Sequence, residues 1–272
     1  MSILDKIIAH KKKEVEERKS LYPLKLLEKS VFFESPCISL RKYLLREDKA
    51  GIIAEIKRKS PSKGMINKYV SIERTSIGYM QAGASALSIL TDSEFFGGRN
   101  EDLILARKFN YCPILRKDFV IDEYQIVESK SIGADVILLL ANVLEPARLK
   151  ELAALAHSLG LEVLLEVRTA KEIGSANEFV TVVGVNNRDL NDFSVDTKRS
   201  LELADAIPPE FIKISESGLS SVKTVHELGL AGFKGFLMGE AFMNDNRPEQ
   251  ACERFIRELK AYRPNVRKPE KI

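Results

Sequence analysis

The chain has 272 residues, of which 44% are hydrophobic, and this amount of apolar sequence excludes a disordered chain. Its 42 basic and 39 acidic residues leave a net charge of only +3, which argues against a dedicated nucleic-acid-binding protein. Three widely spaced cysteines form neither a disulfide framework nor a CxxC metal site, so we expect a reducing, cytoplasmic location and no bound metal. No apolar run approaches the roughly 20 residues that span a bilayer, and no signal-peptide pattern precedes the charged residues 11–14.

The first part of the chain has helical patterns and no convincing strand. A charged helix is predicted to begin at Ser2 and to end near Lys19, and two shorter helical stretches follow it. We expect residues 1–48 to form a helical extension packed on a domain of residues 49–262, with a tail at 263–272. Apolar side chains of the extension should dock on that domain and help to close its pocket; they include Ile3, Ile7, Leu24 and Leu44.

From Gly51 onward, short apolar runs alternate with longer amphipathic stretches. Eight apolar runs have the length of buried strands, and they lie at residues 51–56, 85–90, 112–115, 134–140, 161–165, 180–185, 211–214 and 233–238. This alternation predicts right-handed crossovers and a parallel sheet, and eight repeats predict a (β/α)8 barrel. An open doubly wound sheet is the alternative, but no GxGxxG follows the first strand, where a dinucleotide-binding fold would carry it.

The first predicted strand ends in a pair of ionisable residues. Glu55 and Lys57 follow the apolar run and share one face of the strand, because side chains alternate along it. An acid and a base are costly to bury unless they pair, and barrels build their active sites at the carboxyl ends of strands. A solvated ion pair at a strand tip is the simpler interpretation of this segment taken alone.

Similar residues follow other predicted strands, so the pattern does not depend on one pair. Polar or ionisable groups come soon after strands 3, 5, 6, 7 and 8, and they include Lys117, Glu166, Asn186, Arg188, Glu216, Ser217 and Glu240. Because these ends meet around one barrel mouth, they predict a polar site there. Three cations (Lys57, Lys117 and Arg188) should face the glutamates of strands 1, 5 and 7. The carboxylates should keep Lys117 protonated as a donor, while the cations keep at least one glutamate ionised as a base.

Glycines after strands 7 and 8 predict a phosphate site. Gly218 and Gly239 lie before predicted helices, and backbone N–H groups at a helix N-terminus attract anions. Barrels often bind phosphate beside these two strands. An ordinary tight turn would explain either glycine alone, but the pair at adjacent strands favours phosphate binding.

At these residues the sequence resembles the indole-3-glycerol phosphate synthase family, and the similarity covers nearly the whole chain. The segments that carry it are Ala54–Gly64 (AEIKRKSPSKG), Leu115–Phe119 (LRKDF), Leu165–Val167 (LEV), Gly184–Leu190 (GVNNRDL), Ser215–Gly218 (SESG) and Met238–Glu240 (MGE). The first is highly specific, and six segments in order with barrel spacing argue against coincidence. The resemblance implies a carboxy-lyase of tryptophan biosynthesis. It would convert 1-(2-carboxyphenylamino)-1-deoxyribulose 5-phosphate to indole-3-glycerol phosphate, carbon dioxide and water, without a cofactor.

The resemblance also implies roles for individual residues. Lys117 matches the general acid that protonates the substrate's ketone as the aryl carbon attacks, and Glu166 matches the catalytic glutamate that faces it. The rest of the family's active-site set is matched by Glu55, Lys57, Asn186, Glu216 and Ser217. Both the Glu55–Lys57 pair and Glu166 are candidates for the later dehydration step. Substrate and phosphate contacts are matched by Lys57, Ser60, Phe96, Phe119, Arg188, Gly218, Gly239 and the backbone of Glu240.

Three other functions fit a phosphate-binding barrel. A phosphoribosyl-sugar isomerase or an imidazole-glycerol-phosphate-type cyclase typically has Cys or Asp where this chain has Glu55 and Lys57. A Schiff-base aldolase usually carries its lysine on strand 6, where this chain has Asn186, Asn187 and Arg188. A non-catalytic sensor of a phosphorylated ligand would use the charged N-terminal helix for a partner. We expect a monofunctional enzyme acting on a phosphorylated small molecule, with no nucleic-acid or membrane partner and no fused domain.

Overall fold

Eight parallel strands form a closed barrel in the computed structural model, which describes residues 2–189 and 193–263. In chain order the strands are β1 (Ile52–Ile56), β2 (Ala86–Leu90), β3 (Ile114–Lys117), β4 (Val136–Leu140), β5 (Glu162–Val167), β6 (Val182–Asn186), β7 (Ile212–Glu216) and β8 (Gly235–Met238). Each strand pairs with its neighbours in sequence, and β1 pairs with β8, so the sheet has no open edge. The (β/α)8 prediction is therefore confirmed, and the open doubly wound sheet is excluded.

Helices precede the barrel and surround it. Their bounds are α1 (Ile3–Leu21), α2 (Leu24–Leu27), α3 (Leu40–Leu44), α4 (Ile72–Gln81), α5 (Ser93–Phe96), α6 (Asn100–Phe109), α7 (Glu123–Ser131), α8 (Pro146–Ser158), α9 (Ala170–Ile173), α10 (Lys198–Leu203), α11 (Val222–Leu230), α12 (Glu240–Met243) and α13 (Pro248–Ala261). Within the described ranges, no helix is both long enough and apolar enough to cross a membrane. A two-stranded antiparallel ribbon (Lys59–Ser60 with Gly64–Met65), which the sequence pattern did not predict, lies in the loop after β1.

Strand side chains alternate between two apolar layers, because successive residues point to opposite faces. In β1, Ile52, Ala54 and Ile56 pack in the layer shared with the outer helices. Ile53 instead belongs to the cluster that fills the barrel interior. Glu55 lies two residues beyond Ile53, so it is directed to the interior at the carboxyl end of the strand. The same alternation positions the ionisable groups of the other strands.

The N-terminal helices contact both ends of the barrel. Helix α1 begins after Ser2, as predicted, with a capping box in which Ser2 and Asp5 exchange backbone and side-chain hydrogen bonds. Its first turns line the mouth of the barrel, whereas Leu44 of α3 is buried in the interior cluster. Leu24 was predicted to dock but is 46% exposed, because the second helical stretch is a single turn, α2, with no buried residue.

We propose that residues 1–48 are an extension of a barrel formed by residues 49–262, as the sequence predicts. The support is the apolar contact of α3 with the barrel interior and the position of α1 at the mouth. Of the predicted tail, residues 264–272 lie outside the described residues.

Candidate active site

A cavity of about 620 Å³ opens at the carboxyl ends of the strands. All fourteen residues predicted from the sequence line it: Glu55, Lys57, Ser60, Phe96, Lys117, Phe119, Glu166, Asn186, Arg188, Glu216, Ser217, Gly218, Gly239 and Glu240. They come from different strands and loops, and the closure of the barrel brings them to one mouth. Their individual roles stay predictions. The last residue of the motif after β6, Leu190, lies outside the described residues.

Lys117 lies at the end of β3, between two glutamates from across the barrel. Its Nζ is 2.9 Å from Oε2 of Glu166 and 2.7 Å from Oε2 of Glu216. Burial disfavours the ammonium form, but the two carboxylates outweigh this effect and raise the pKa of Lys117 above its ordinary value. The ammonium group is therefore charged at neutral pH and can donate a proton into the cavity.

Glu166 accepts a hydrogen bond on each carboxylate oxygen. Oε2 accepts from Lys117 Nζ, and Oε1 accepts from Asn186 Nδ2 at 2.8 Å. Burial alone would raise the pKa of Glu166, but Lys117 and Asn186 stabilise the anion and hold the pKa below its ordinary value. Glu166 is the glutamate that this arrangement keeps ionised, as a general base requires.

Glu216 shares Lys117 with Glu166 but has a different environment. Its Oε1 is buried without a hydrogen-bond partner among the described residues, and it lies against Gly184, where a Cβ would be only 2.2 Å away. Burial and the nearby Glu166 outweigh the attraction of Lys117 and raise the pKa of Glu216 to about 7. Lys117 is thus held between one carboxylate that is ionised and one that gains a proton near neutral pH.

This difference predicts how stability depends on pH. The pKa of Glu216 is about 7 in the folded chain and 4.5 in the unfolded chain, so the folded chain binds the proton of this carboxyl group more tightly. Its contribution to stability is fully present below pH 4.5 and is lost as the pH rises through 7. We therefore expect Glu216→Gln, which cannot ionise, to gain melting temperature relative to the wild type between pH 5 and pH 8. Thermal unfolding followed by circular dichroism measures this difference.

The control for this prediction is Glu240→Gln, which removes a partly exposed carboxylate at the same mouth. Its melting temperature relative to the wild type should change less over this pH range. A difference between Glu216→Gln and the wild type that stays constant from pH 5 to pH 8 would contradict the prediction.

The Glu55–Lys57 pair is also formed. Lys57 Nζ donates to Glu55 Oε1 at 2.7 Å, and both side chains are largely buried. Gly239, at the end of β8, lies so close that a Cβ there would be 2.5 Å from Glu55 Oε1. A glycine is therefore required at position 239 for the packing of Glu55, besides any contact with a ligand.

One wall of the cavity is apolar. The rings of Phe96 and Phe119 lie with their centroids 6.0 Å apart, and Leu138 from β4 continues the same wall. Ile3 and Ile7 of α1 line the cavity and help to close it, as the sequence predicted, and Ile7 is 4% exposed. Such a wall suits an aromatic ring.

Small residues line the opposite end of the cavity. Ser217 and Gly218 both have positive φ values, 69° and 72°. Helix α11 begins only at Val222, so Gly218 lies before the helix and not at its N-terminus as predicted. Gly239 does occupy the N-cap of α12, although that helix is a single turn. An anion here would meet the backbone of a loop and the first turn of α12.

Arg188 lines the same cavity as the glutamates of strands 1, 5 and 7, but its ion pair is with a different carboxylate. Its guanidinium lies 3.2 Å from Glu240 Oε2, and Lys63 Nζ lies 3.6 Å from the other oxygen of Glu240. Arg188 lies two residues beyond the end of β6, and the alternation within a strand does not predict the partner of a loop residue. Lys63 was not predicted singly, although it lies within the motif after β1. Among the described residues, no group of three His, Cys, Asp or Glu side chains has the arrangement of a metal site.

Comparisons with known proteins agree with this geometry. A family model described as "Indole-3-glycerol phosphate synthase" matches residues 4–258. A protein of that name from Bacteroides thetaiotaomicron is 44% identical over 257 residues, which cover 94% of this chain and 98% of the relative. Relatives with the same name from Burkholderia ambifaria and Carboxydothermus hydrogenoformans are 39% and 38% identical and cover 93% and 92% of this chain, with 98% of each relative covered. With the barrel and the residues at its mouth, these similarities identify the chain as a member of the indole-3-glycerol phosphate synthase family.

Proposed function

We propose that this chain catalyses the ring closure of 1-(2-carboxyphenylamino)-1-deoxyribulose 5-phosphate to indole-3-glycerol phosphate, with loss of carbon dioxide and water. The observation that carries this proposal is the position of Lys117, a charged donor held between Glu166 and Glu216 at the mouth of the barrel. An apolar wall on one side of this donor suits the carboxyphenyl ring. The loop backbone on the other side suits the phosphate.

Ring closure needs an acid at the ketone oxygen. The aryl carbon that carries the carboxylate attacks the ketone carbon, and Lys117 donates a proton to the oxygen as negative charge develops on it. The carbon–carboxylate bond then breaks, and its electron pair restores the aromatic ring as carbon dioxide leaves. General acid catalysis of this kind contributes about 10²–10⁴-fold to a rate.

Dehydration completes the indole ring and needs a base and an acid together. A base removes a proton from the methylene group next to the nitrogen, and an acid protonates the departing hydroxyl group. Glu166 is kept ionised by its two hydrogen bonds, and Lys57 is held within the cavity by Glu55. We assign this step to Glu166 and the Glu55–Lys57 pair together.

The experiment that tests this function is direct. The purified chain is incubated with the carboxyphenylamino-deoxyribulose phosphate, and the appearance of indole fluorescence is followed, with mass spectrometry to identify the product. We expect indole-3-glycerol phosphate to form. An analogue in which the ketone is reduced to an alcohol is the control, because it should bind without reacting. Tight binding of the substrate without turnover would instead favour a phosphate-ligand sensor.

The phosphate end of the substrate is tested separately. We propose that the backbone at Ser217–Gly218 and at Gly239–Glu240 binds the phosphate, as the sequence predicts. Because this group is remote from the reacting bond, its loss should weaken binding more than it slows chemistry. We expect inorganic phosphate to compete with the substrate, whereas chloride at equal ionic strength does not. The dephosphorylated substrate should have a KM at least about tenfold higher, equivalent to about 1.4 kcal/mol.

Replacing Gly218 by valine would not test the phosphate contact alone. Gly218 has φ of +72°, and a Cβ there would lie 2.2 Å from Cγ1 of Val195, so the substitution would displace the neighbouring loop. Steady-state inhibition by phosphate is the cleaner measurement. Phosphate that inhibits the dephosphorylated and the phosphorylated substrates equally would contradict binding at this end of the cavity.

A further inference from the structure

A lysine in the apolar stripe of α1 is almost completely buried against the barrel. The buried residues of α1 are Ile7, Lys11 and Val15, which recur every four residues along one face. Lys11 is 1% exposed, although this periodicity favours an apolar residue at its position. Burying an ammonium group is unfavourable, and a residue such as methionine would fill the same space without that cost. The partners of Lys11 therefore require explanation.

Lys11 bridges two carboxylates from the barrel. Its Nζ lies 3.0 Å from Oδ2 of Asp92 and 2.9 Å from Oδ1 of Asp118, both of which are buried. A third carboxylate, that of Glu14 one turn further along α1, lies at 2.9 Å and is partly exposed. Asp92 Oδ2 accepts no well-aligned hydrogen bond among the described residues, so the charge of Lys11 is what offsets its burial.

Asp92 and Asp118 organise two loops at the mouth of the cavity. Oδ1 of Asp92 accepts from the backbone N–H groups of Phe95 and Phe96, at 2.7 and 3.2 Å, and so caps the short helix α5 that carries Phe96. Asp118 stands directly between Lys117 and Phe119 in the chain, and its Oδ1 accepts from the N–H of Phe119 at 2.8 Å. Asp92 thus belongs to the loop that carries Phe96, and Asp118 belongs to the loop that follows Lys117 and carries Phe119.

Further contacts connect Asp118 to other charged residues around β3. Asp118 Oδ2 accepts from Thr91 Oγ1 at 2.6 Å and lies 3.3 Å from the guanidinium of Arg116, which is fully buried. Arg116 pairs with Glu128 at 2.6 Å, and Glu128 also binds Arg18, two turns beyond Lys11 on α1. Helix α1 therefore supplies a cation at each end of a buried series of alternating charges. Removing Lys11 would leave the Asp92–Asp118 end with excess negative charge.

We propose that Lys11 is a positioning residue, which holds the loops after β2 and β3 through Asp92 and Asp118 so that Phe96, Lys117 and Phe119 keep their places around the substrate. This inference rests on the proposed function. Burial would raise the pKa of Asp118, but Lys11 and Arg116 together lower it below its ordinary value, in agreement with an ionised bridge. Helix α1 then does more than cover the cavity, because it supplies the charge that holds the loops after β2 and β3 in position.

The test uses Lys11→Met, which keeps the length of the side chain and removes its charge. We expect kcat/KM to fall about 10²-fold, with much of the fall in kcat, because small displacements of catalytic groups have effects of this size. The matched control is Lys12→Met, one residue further along the same helix, whose side chain is exposed. Its kinetic constants should equal those of the wild type. All variants are assayed at least ten degrees below their melting temperatures, roughly the span over which unfolding rates change several-fold.

A double variant separates positioning from a purely structural role. Lys11→Met with Asp92→Asn removes one carboxylate together with the cation, and asparagine still caps α5. We expect this variant to regain at least about tenfold in kcat/KM over Lys11→Met, which is about 1.4 kcal/mol. Unchanged kinetic constants in Lys11→Met with a lower melting temperature would show that Lys11 only stabilises the fold. Absence of recovery in the double variant would also overturn the bridging role.

Two further results would also decide whether the inference holds. If Lys11→Met alone does not fold, the double variant is compared with Asp92→Asn, and equal activity of these two would overturn the inference. Turnover by the wild type in the same assay distinguishes the two proposals. An inactive wild type overturns the proposed function and this inference with it, whereas an active wild type with an unaffected Lys11→Met overturns this inference alone.

Discussion

Replacing Lys117 by alanine is expected to lower kcat at least about 10³-fold while the chain stays folded. The substitution removes the proton donor for the ketone oxygen and the cation that lies 2.9 and 2.7 Å from Glu166 and Glu216. Without that cation the two buried carboxylates repel each other, so one of them takes up a proton, and a modest loss of melting temperature accompanies the loss of turnover. Initial rates of indole fluorescence and a thermal melt measure the two effects.

Two further variants sharpen this test. Lys117→Met keeps the volume of the side chain and should be as inactive as alanine, because the missing group is the acid. Lys150→Ala removes a surface ammonium that pairs with Glu178 and should leave the rate unchanged. More than roughly a tenth of wild-type activity in either Lys117 variant would remove this residue from the general-acid role.

Glu166→Gln is expected to lower kcat about 10²–10⁴-fold with a smaller change in KM. Both carboxylate oxygens accept hydrogen bonds, one from Lys117 and the other from Asn186, so a glutamine must turn its NH₂ group toward one of these donors. The variant therefore loses the base and one contact that orients it, although its shape is nearly unchanged. Single-turnover kinetics measure the chemical step.

The control for Glu166 is Glu162, four residues earlier on the same strand. Its carboxylate binds Ser39 and the backbone N–H of Arg41 at the opposite end of the barrel. Glu162→Gln should lower the melting temperature and leave the chemical step unchanged. A single-turnover rate for Glu166→Gln within about tenfold of the wild type would mean that another group is the base.

Much of the site could be predicted from the sequence because strands alternate with period two. Lys117 lies two residues beyond Leu115, and Glu166 lies two beyond Leu164, and both of these leucines belong to the interior cluster. An ionisable residue at such a position is directed into the barrel mouth by the alternation of the strand, irrespective of how the surrounding helices pack. The functional assignment came from the motifs at the strand ends, which the family similarity then supported.

Features that depend on loops and on distant contacts were not predictable in this way. Arg188 follows β6 by two residues, but its ion-pair partner is Glu240 at the start of α12, and no periodicity relates the two. Helical periodicity could not distinguish the exposed Leu24 from the buried Leu44, since both occur in short helical stretches. The barrel partners of Lys11, Asp92 and Asp118, are about 80 and 107 residues further along the chain, and only the folded barrel brings them together.

The burial of α3 at the end of the barrel has a consequence for the order of folding during synthesis. Leu44 packs beside Gly235 of β8, among interior residues drawn from most of the other strands. At a synthesis rate of about 5–20 residues per second, roughly 10–40 s pass between the emergence of these two segments from the ribosome. Contacts between such distant segments also slow folding, because a long loop must close before they form. Helix α3 is thus among the first segments to be made, yet it cannot complete its native contacts until the last strand of the barrel has appeared.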